Sequence, residues 1–125
     1  MEPDNKRRLL DADLTLERLA GDERLLGAVA RTFTHTAPNL VAAITMALAS
    51  NDMNGAFAHA QSLKRAVAAF EAPQVLNSVL NVERHALNED AAAAAVALPV
   101  ARGLVERLVN EVSSLVPTSE IRHQA

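Results

Sequence analysis

Residues 57–72, FAHAQSLKRAVAAFEA, predict a helix that is buried on one side, because their apolar side chains recur at helical spacing. Successive residues of an α-helix are about 100° apart, so directions around its axis can be given relative to Gln61. On that scale Lys64 lies at about −60°, Arg65 at about +40° and Ala68 at about −20°, which makes one outward stripe. The residues expected to face a core, within about 60° of the opposite direction, are Ala56, His59, Leu63, Val67 and Phe70.

The rest of the chain shows the same helical pattern. Half of the residues are apolar and nearly all of these are aliphatic, with three Phe and no Tyr or Trp, which favours helices over strands. The expected segments are a short helix near 13–20, a second from Asp22 to about 48, a third over about 54–71, a fourth from Pro73 to about 87–90 and a fifth over about 90–115. This order predicts an all-α, antiparallel up-down four-helix bundle with a short additional N-terminal helix.

The domain limits follow from the same pattern. We expect a flexible N-terminus over 1–12, one helical bundle over 13–116 and a flexible C-terminal tail over 117–125. Two prolines fall inside helical patterns: Pro38 can begin or kink a turn, and Pro99 predicts a kink or a short break.

Composition and charge exclude several classes of function. The formal net charge is −3 and the pI is near 5.8, whereas general nucleic-acid binding needs a concentrated basic surface. The absence of cysteine excludes disulfides and thiolate metal sites. The N-terminus lacks the apolar core of a signal peptide, and no segment reaches the ~20 apolar residues of a membrane span. We therefore expect a cytoplasmic protein with no nucleic-acid or membrane partner.

The chain resembles the histidine phosphotransfer (Hpt) domains, whose central helix reads roughly A-H-x-L-K-G-x-A-x-x-x-G. The segment LERLAGDERLLGAVARTF, residues 16–33, is similar to the family's leading segment, and Val82-Glu83 stand where the family commonly has Leu-Glu. The resemblance extends over about residues 13–115. The residues at matching positions of the central motif are Ala60, Ser62, Leu63, Lys64 and Ala66.

Two departures from the family pattern bear directly on activity. Gln61 stands at the position of the phosphorylatable histidine, and Arg65 stands where the family has a glycine one turn later. Two losses on one helix face indicate natural degeneracy, since a single engineered substitution would explain Gln61 alone. The resemblance therefore implies a non-catalytic pseudo-Hpt domain with no cofactor and no metal.

Such a domain would act by binding. The resemblance implies the receiver domain of a response regulator, or a histidine kinase, as the partner, and competition, sequestration or scaffolding as the outcome. The expected contact residues are Phe57, Gln61, Lys64, Arg65 and Ala68. For Phe57, a position under the preceding turn is an equal alternative.

Two other functions stay open at this point. An active phosphotransferase could use a non-standard histidine such as His59 or His85, although two residues correspond to about 200° of helix, which directs His59 away from the face of Gln61. A helical bundle that resembles the family in architecture alone could serve an unrelated interaction. His35 and His123 complete the set of histidines, and their spacing does not indicate a metal site.

Overall fold

The computed structural model describes residues 8–115, and this part of the chain consists of five helices without a strand. The prediction of an all-α fold with a short leading helix is confirmed. The helices are α1, Ala12–Arg18; α2, Glu23–Ala49; α3, Met53–Ala68; α4, Pro73–Leu87; and α5, Ala91–Ser113. None of these helices is long and apolar enough to cross a membrane.

The four long helices form a closed ring around one core. Both α2 and α4 pack against α3 and α5, so α3 and α5 lie diagonally opposite each other. The turns between successive long helices are short, which makes neighbours antiparallel. Aliphatic side chains fill the centre, and the ring of Phe33 meets that of Phe70 edge to face, with centroids 5.0 Å apart. This aromatic contact holds the chain after α3 against α2.

Aspartates start most of the helices. In each case the carboxylate accepts a backbone N–H three residues later, which satisfies one donor that the first turn leaves unpaired. These pairs are Asp11 with Leu14, Asp22 with Leu25, Asp52 with Gly55 and Asp90 with Ala93. Asp52 is the cap of α3, and Asn51 before it adopts a φ of 57° that reverses the chain.

Neither internal proline breaks its helix. The helix α2 continues through Pro38 and α5 continues through Pro99, so of the kink or short break expected at Pro99 the break does not occur. Each proline removes one backbone donor, and both rings lie on the exposed side of the helix. The residue before each proline, Ala37 or Leu98, is buried in the core, and this packing keeps the helix in place across the missing bond.

The chain before α1 is packed against the bundle. Leu9 and Leu10 are buried, and both backbone N–H groups donate to the Glu111 carboxylate of α5 at 2.9–3.1 Å. The expectation of a flexible N-terminus over 1–12 is wrong for Leu9 and Leu10, because their two apolar side chains and the distant Glu111 carboxylate fix the segment. Residues 1–7 and the predicted tail 117–125 lie outside the described residues.

The turn between α3 and α4 holds α1 in position. Thr15 is fully buried, and its hydroxyl accepts the backbone N–H of Glu71 at 2.9 Å. The Glu71 carbonyl in turn accepts the N–H of Asp11 at 2.8 Å, and the Glu71 carboxylate pairs with Arg18. The short leading helix is therefore fixed close to the C-terminal end of α3.

Candidate functional site

The helix α3 turns its outward stripe to the surface, but not quite in the direction that the sequence indicates. The expected core residues Ala56, Leu63, Val67 and Phe70 are all buried, whereas His59 is only half-buried. Ala60 is fully buried instead. The average direction of the buried side is thus about 140° from Gln61 rather than opposite to it.

This rotation divides the five expected contact residues into two groups. Arg65 and Ala68 are exposed, whereas Phe57, Gln61 and Lys64 are half-buried on the side of α3 that faces α4. All five lie on one continuous face, which we call the α3 face: Phe57, Gln61, Lys64, Arg65 and Ala68.

Lys64 is held by an acidic side chain from the neighbouring helix. Its ammonium donates to a carboxylate oxygen of Glu83 in α4 at 2.9 Å. The side chain of Glu83 is only 12% exposed and that of Lys64 is 31% exposed. This pair was not predicted from the sequence, because the two residues lie on different helices. The pairing neutralises Lys64 locally and limits its side-chain motion.

Arg65 contrasts with Lys64. It is exposed near the C-terminal end of α3, and it makes no ion pair within residues 8–115. The Lys64–Glu83 pair carries no net charge, so Arg65 is the side chain that gives the centre of the α3 face its positive charge. A guanidinium in this position can donate two parallel hydrogen bonds to a carboxylate or a phosphate.

The ring of Phe57 is partly packed against the bundle and partly open to the surface. One side of the ring packs against a small cluster of Ala47, Ala56 and Ala86. The ring also lines an open cavity of about 590 Å³ beside α4. The other residues that line this cavity are Asn77, Leu80, Asn81, Glu83, Arg84 and Leu87. The α3 face is therefore bordered by an apolar groove with exposed leucines at its edge.

The family model for the Hpt domain matches residues 28–115. The chain belongs to the Hpt domain family. Hpt domains are phosphotransfer modules of phosphorelay signalling that interact with histidine kinases and response regulators. The match begins at Ala28, so α1 and the first turn of α2 lie outside it. No curated protein and no solved structure matches the chain significantly.

Family membership excludes one of the alternatives. The matched residues contain most of α2 and all of α3, α4 and α5. A bundle that shares only its architecture with Hpt domains would not match the family over this length. The involvement of this Hpt domain in phosphorelay signalling follows from the family.

The described histidines of this Hpt domain lie away from the α3 face. His59 is half-buried on the side of α3 towards α2, and it makes no hydrogen bond within residues 8–115. His85 lies in a cavity of about 390 Å³ between α4 and α5. His35 is exposed in the middle of α2, and His123 lies outside the described residues. Residues 8–115 bring none of these imidazoles to Gln61.

A metal centre does not form in the described part of this Hpt domain either. Residues 8–115 contain no group of three or more His, Asp or Glu side chains arranged to hold an ion. Two of the acidic side chains have structural roles instead: Asp52 caps α3 and Glu83 pairs with Lys64.

Proposed function

We propose that this chain is a non-catalytic pseudo-Hpt domain, which binds a receiver domain of a response regulator or a histidine kinase and modulates phosphorelay. It would do so by competition, sequestration or scaffolding. The observation that supports the proposal is Gln61, which is half-buried on the outward side of α3 and stands at the position that the resemblance assigns to the family's histidine.

The chemistry of the amide supports this interpretation. An Hpt histidine uses a neutral imidazole nitrogen as the nucleophile for a phosphoryl group. The amide nitrogen of glutamine has its lone pair delocalised into the carbonyl, so the group donates and accepts hydrogen bonds only. Gln61 can therefore contact a partner's acceptors and donors, but it cannot carry phosphate.

The second departure, Arg65 in place of a glycine, changes how closely a partner can approach α3. Glycine one turn after the histidine leaves a flat surface, whereas Arg65 fills that space with a long exposed cation. Because Lys64 is paired with Glu83, Arg65 is placed to pair with the acidic pocket of a receiver domain. The arginine in place of glycine therefore favours persistent binding of a partner over transient phosphoryl transfer.

The proposed contact surface is the α3 face together with the groove beside Phe57. Gln61 and Arg65 would supply polar contacts to the partner. Lys64 would contact the partner while it stays paired with Glu83, and the small side chain of Ala68 would let the partner approach α3 closely. The half-buried ring of Phe57 would supply apolar contact. A central cluster of this kind, with an aromatic and an arginine side chain, is typical of residues that dominate binding energy.

Calorimetric titration with a receiver domain from the same relay tests the proposal. Arg65→Glu should weaken binding by about 10-fold to 1000-fold, because it replaces a paired charge by a like charge. Arg102→Glu is the matched control: Arg102 is exposed on α5, diagonally opposite α3, and its replacement should leave the affinity unchanged. Equal affinities of the two variants would contradict the proposed surface.

A further inference from the structure

The first turn of α3 contains the dipeptide Asn54-Gly55, and the chain has no other asparagine that is followed by glycine. Asn54 is exposed, and Gly55 is half-buried. A glycine has no side chain to shield its backbone nitrogen, so this nitrogen can approach the side-chain carbonyl of the preceding asparagine. The sequence of this turn therefore leaves one asparagine side chain open to attack by the neighbouring backbone.

The reaction at such a dipeptide is deamidation, and it needs no reactant other than water. The backbone nitrogen of Gly55 gives its proton to solvent and bonds to Cγ of Asn54, and the side-chain nitrogen takes a proton from solvent and leaves as ammonia. Water then opens the resulting cyclic imide at one of its two carbonyl carbons. Opening at Cγ yields aspartate, whereas opening at the main-chain carbonyl yields isoaspartate, in which the backbone passes through Cγ. The net change replaces an amide by a carboxylate.

The folded turn opposes this reaction in two ways. The Gly55 N–H donates to Oδ1 of Asp52 at 2.8 Å, and a carboxylate this close disfavours removal of the proton. Asn54 and Gly55 also lie within α3, whose helical backbone angles keep the attacking nitrogen away from Cγ. The first turn must therefore unwind, and lose its cap, before the imide ring can close.

The cap requires the same glycine that makes Asn54 reactive. The Asp52 carboxylate lies so close to Gly55 that a Cβ atom at that position would collide with it. Glycine is also a poor helix former, which lowers the free energy needed to unwind the turn. Asp52 thus protects an asparagine whose lability comes from the residue that the cap needs.

We propose that Asn54 is a deamidation site and that the Asp52 cap sets its rate. The reaction takes place when the first turn of α3 opens while the rest of the bundle stays folded. Helix ends open at a much lower cost in free energy than a buried core does. The start of α3 fits this description, because Asn51, Asp52 and Asn54 are exposed and the buried residues of α3 begin at Ala56.

Isoaspartate at position 54 would change the start of α3. It inserts one carbon atom into the backbone, so the hydrogen bonds of the first turn lose their register. Ala56 and Phe57 follow closely, and both pack in a small cluster with Ala47 and Ala86. Conversion of Asn54 would therefore disturb the end of the α3 face that Phe57 forms. The reaction itself does not depend on the function proposed for that face.

Peptide mass spectrometry of the full chain, incubated in mildly alkaline buffer, tests the proposal. Asp52→Ala should raise the rate of deamidation at Asn54 by about 5-fold to 30-fold, because the turn opens more often without its cap. Thr15→Val is the matched control, since it destabilises the fold from α1, at the C-terminal end of α3. Because the opening at Asn54 is local, Thr15→Val should leave the rate within about 2-fold of that of the unmodified chain.

Two further variants separate the cap from the dipeptide. Asp52→Asn retains a capping oxygen but no charge, so its rate should lie between those of the unmodified chain and Asp52→Ala. Gly55→Ala added to Asp52→Ala should lower the rate by at least about 10-fold relative to Asp52→Ala alone, because the methyl group shields the attacking nitrogen and favours the helix. Circular dichroism verifies that each variant is folded.

Equal acceleration by Asp52→Ala and Thr15→Val would overturn the proposal, because deamidation would then require unfolding of the whole chain. The proposal would be overturned equally if Asn54 stayed unconverted in Asp52→Ala, or if the added Gly55→Ala change left the rate of that variant unaltered.

Discussion

The Lys64 ammonium and the Glu83 carboxylate, 2.9 Å apart, connect α3 to α4 beneath the α3 face. Because Lys64 is paired with Glu83, it is not a free cation beside Gln61. Arg65 is the exposed positive charge on this part of the α3 face. Two properties of the site follow from this contact: α3 is fixed relative to α4, and the electrostatic character of the face depends on a residue that the family pattern does not contain.

A double-mutant cycle at this pair should show clear coupling. Lys64→Met and Glu83→Gln each remove one partner, and the expected coupling free energy is about 1 kcal/mol, since the carboxylate is largely shielded from water. Urea denaturation measures it. The exposed pair Arg18–Glu71, treated in the same way, should give less than about 0.5 kcal/mol. Equal coupling in the two cycles would mean that burial of Glu83 has no energetic effect.

Thr15→Val should destabilise the fold even though it preserves side-chain shape. The buried hydroxyl accepts the N–H of Glu71, and its loss leaves that donor without a partner, at a cost of about 1–3 kcal/mol in the free energy of unfolding. Thr45→Val is the control, because Thr45 is exposed and bonds only the carbonyl one turn before it. Its effect should stay within about 0.5 kcal/mol. A similar cost at both positions would argue against the anchoring of α1 by Thr15.

Two of the helical glycines, Gly55 and Gly103, should respond oppositely to alanine. Gly103 is exposed in α5 with open space around it, so Gly103→Ala should raise the free energy of unfolding by about 0.5–1 kcal/mol in dilute solution. At Gly55 a methyl group would collide with the Asp52 carboxylate that caps α3. Gly55→Ala should therefore lower stability by about 0.5–2 kcal/mol through loss of the cap. Thermal unfolding of both variants measures the difference, and stabilisation by both changes would contradict this account of the cap.

Much of the bundle follows from local pattern, and what does not follow depends on contacts between helices. The spacing of apolar residues in 57–72 predicts α3 and its outward stripe, because one helix face is buried throughout. The same spacing places His59 rather than Ala60 in the core, whereas the structure buries Ala60 fully and His59 only in part. The difference arises because α3 packs into the corner between α2 and α4, which turns its buried side by about 40° from the direction opposite Gln61.

Two further contacts carry no local signal. Glu83 and Lys64 lie on separate helices, and the relative register of two helices is not contained in the periodicity of either one. Leu9 and Leu10 form a pair too short to show a period, and the carboxylate that holds them is 102 residues from Leu9. Residues whose partners are distant in the chain are thus the ones that only the structure reveals.

A phosphoryl-transfer assay distinguishes a pseudo-Hpt domain from an active one. Each chain is incubated with a labelled phospho-receiver or an autophosphorylated kinase of the relay, and acid-labile phosphohistidine is then measured. The unmodified chain should stay unlabelled, as should Arg65→Gly alone, because neither has an imidazole on the α3 face. Gln61→His together with Arg65→Gly should accept label, and Gln61→His alone should accept little, since Arg65 still fills the approach. Label on the unmodified chain would contradict the account, because it would show that a histidine such as His59 or His85 carries phosphate.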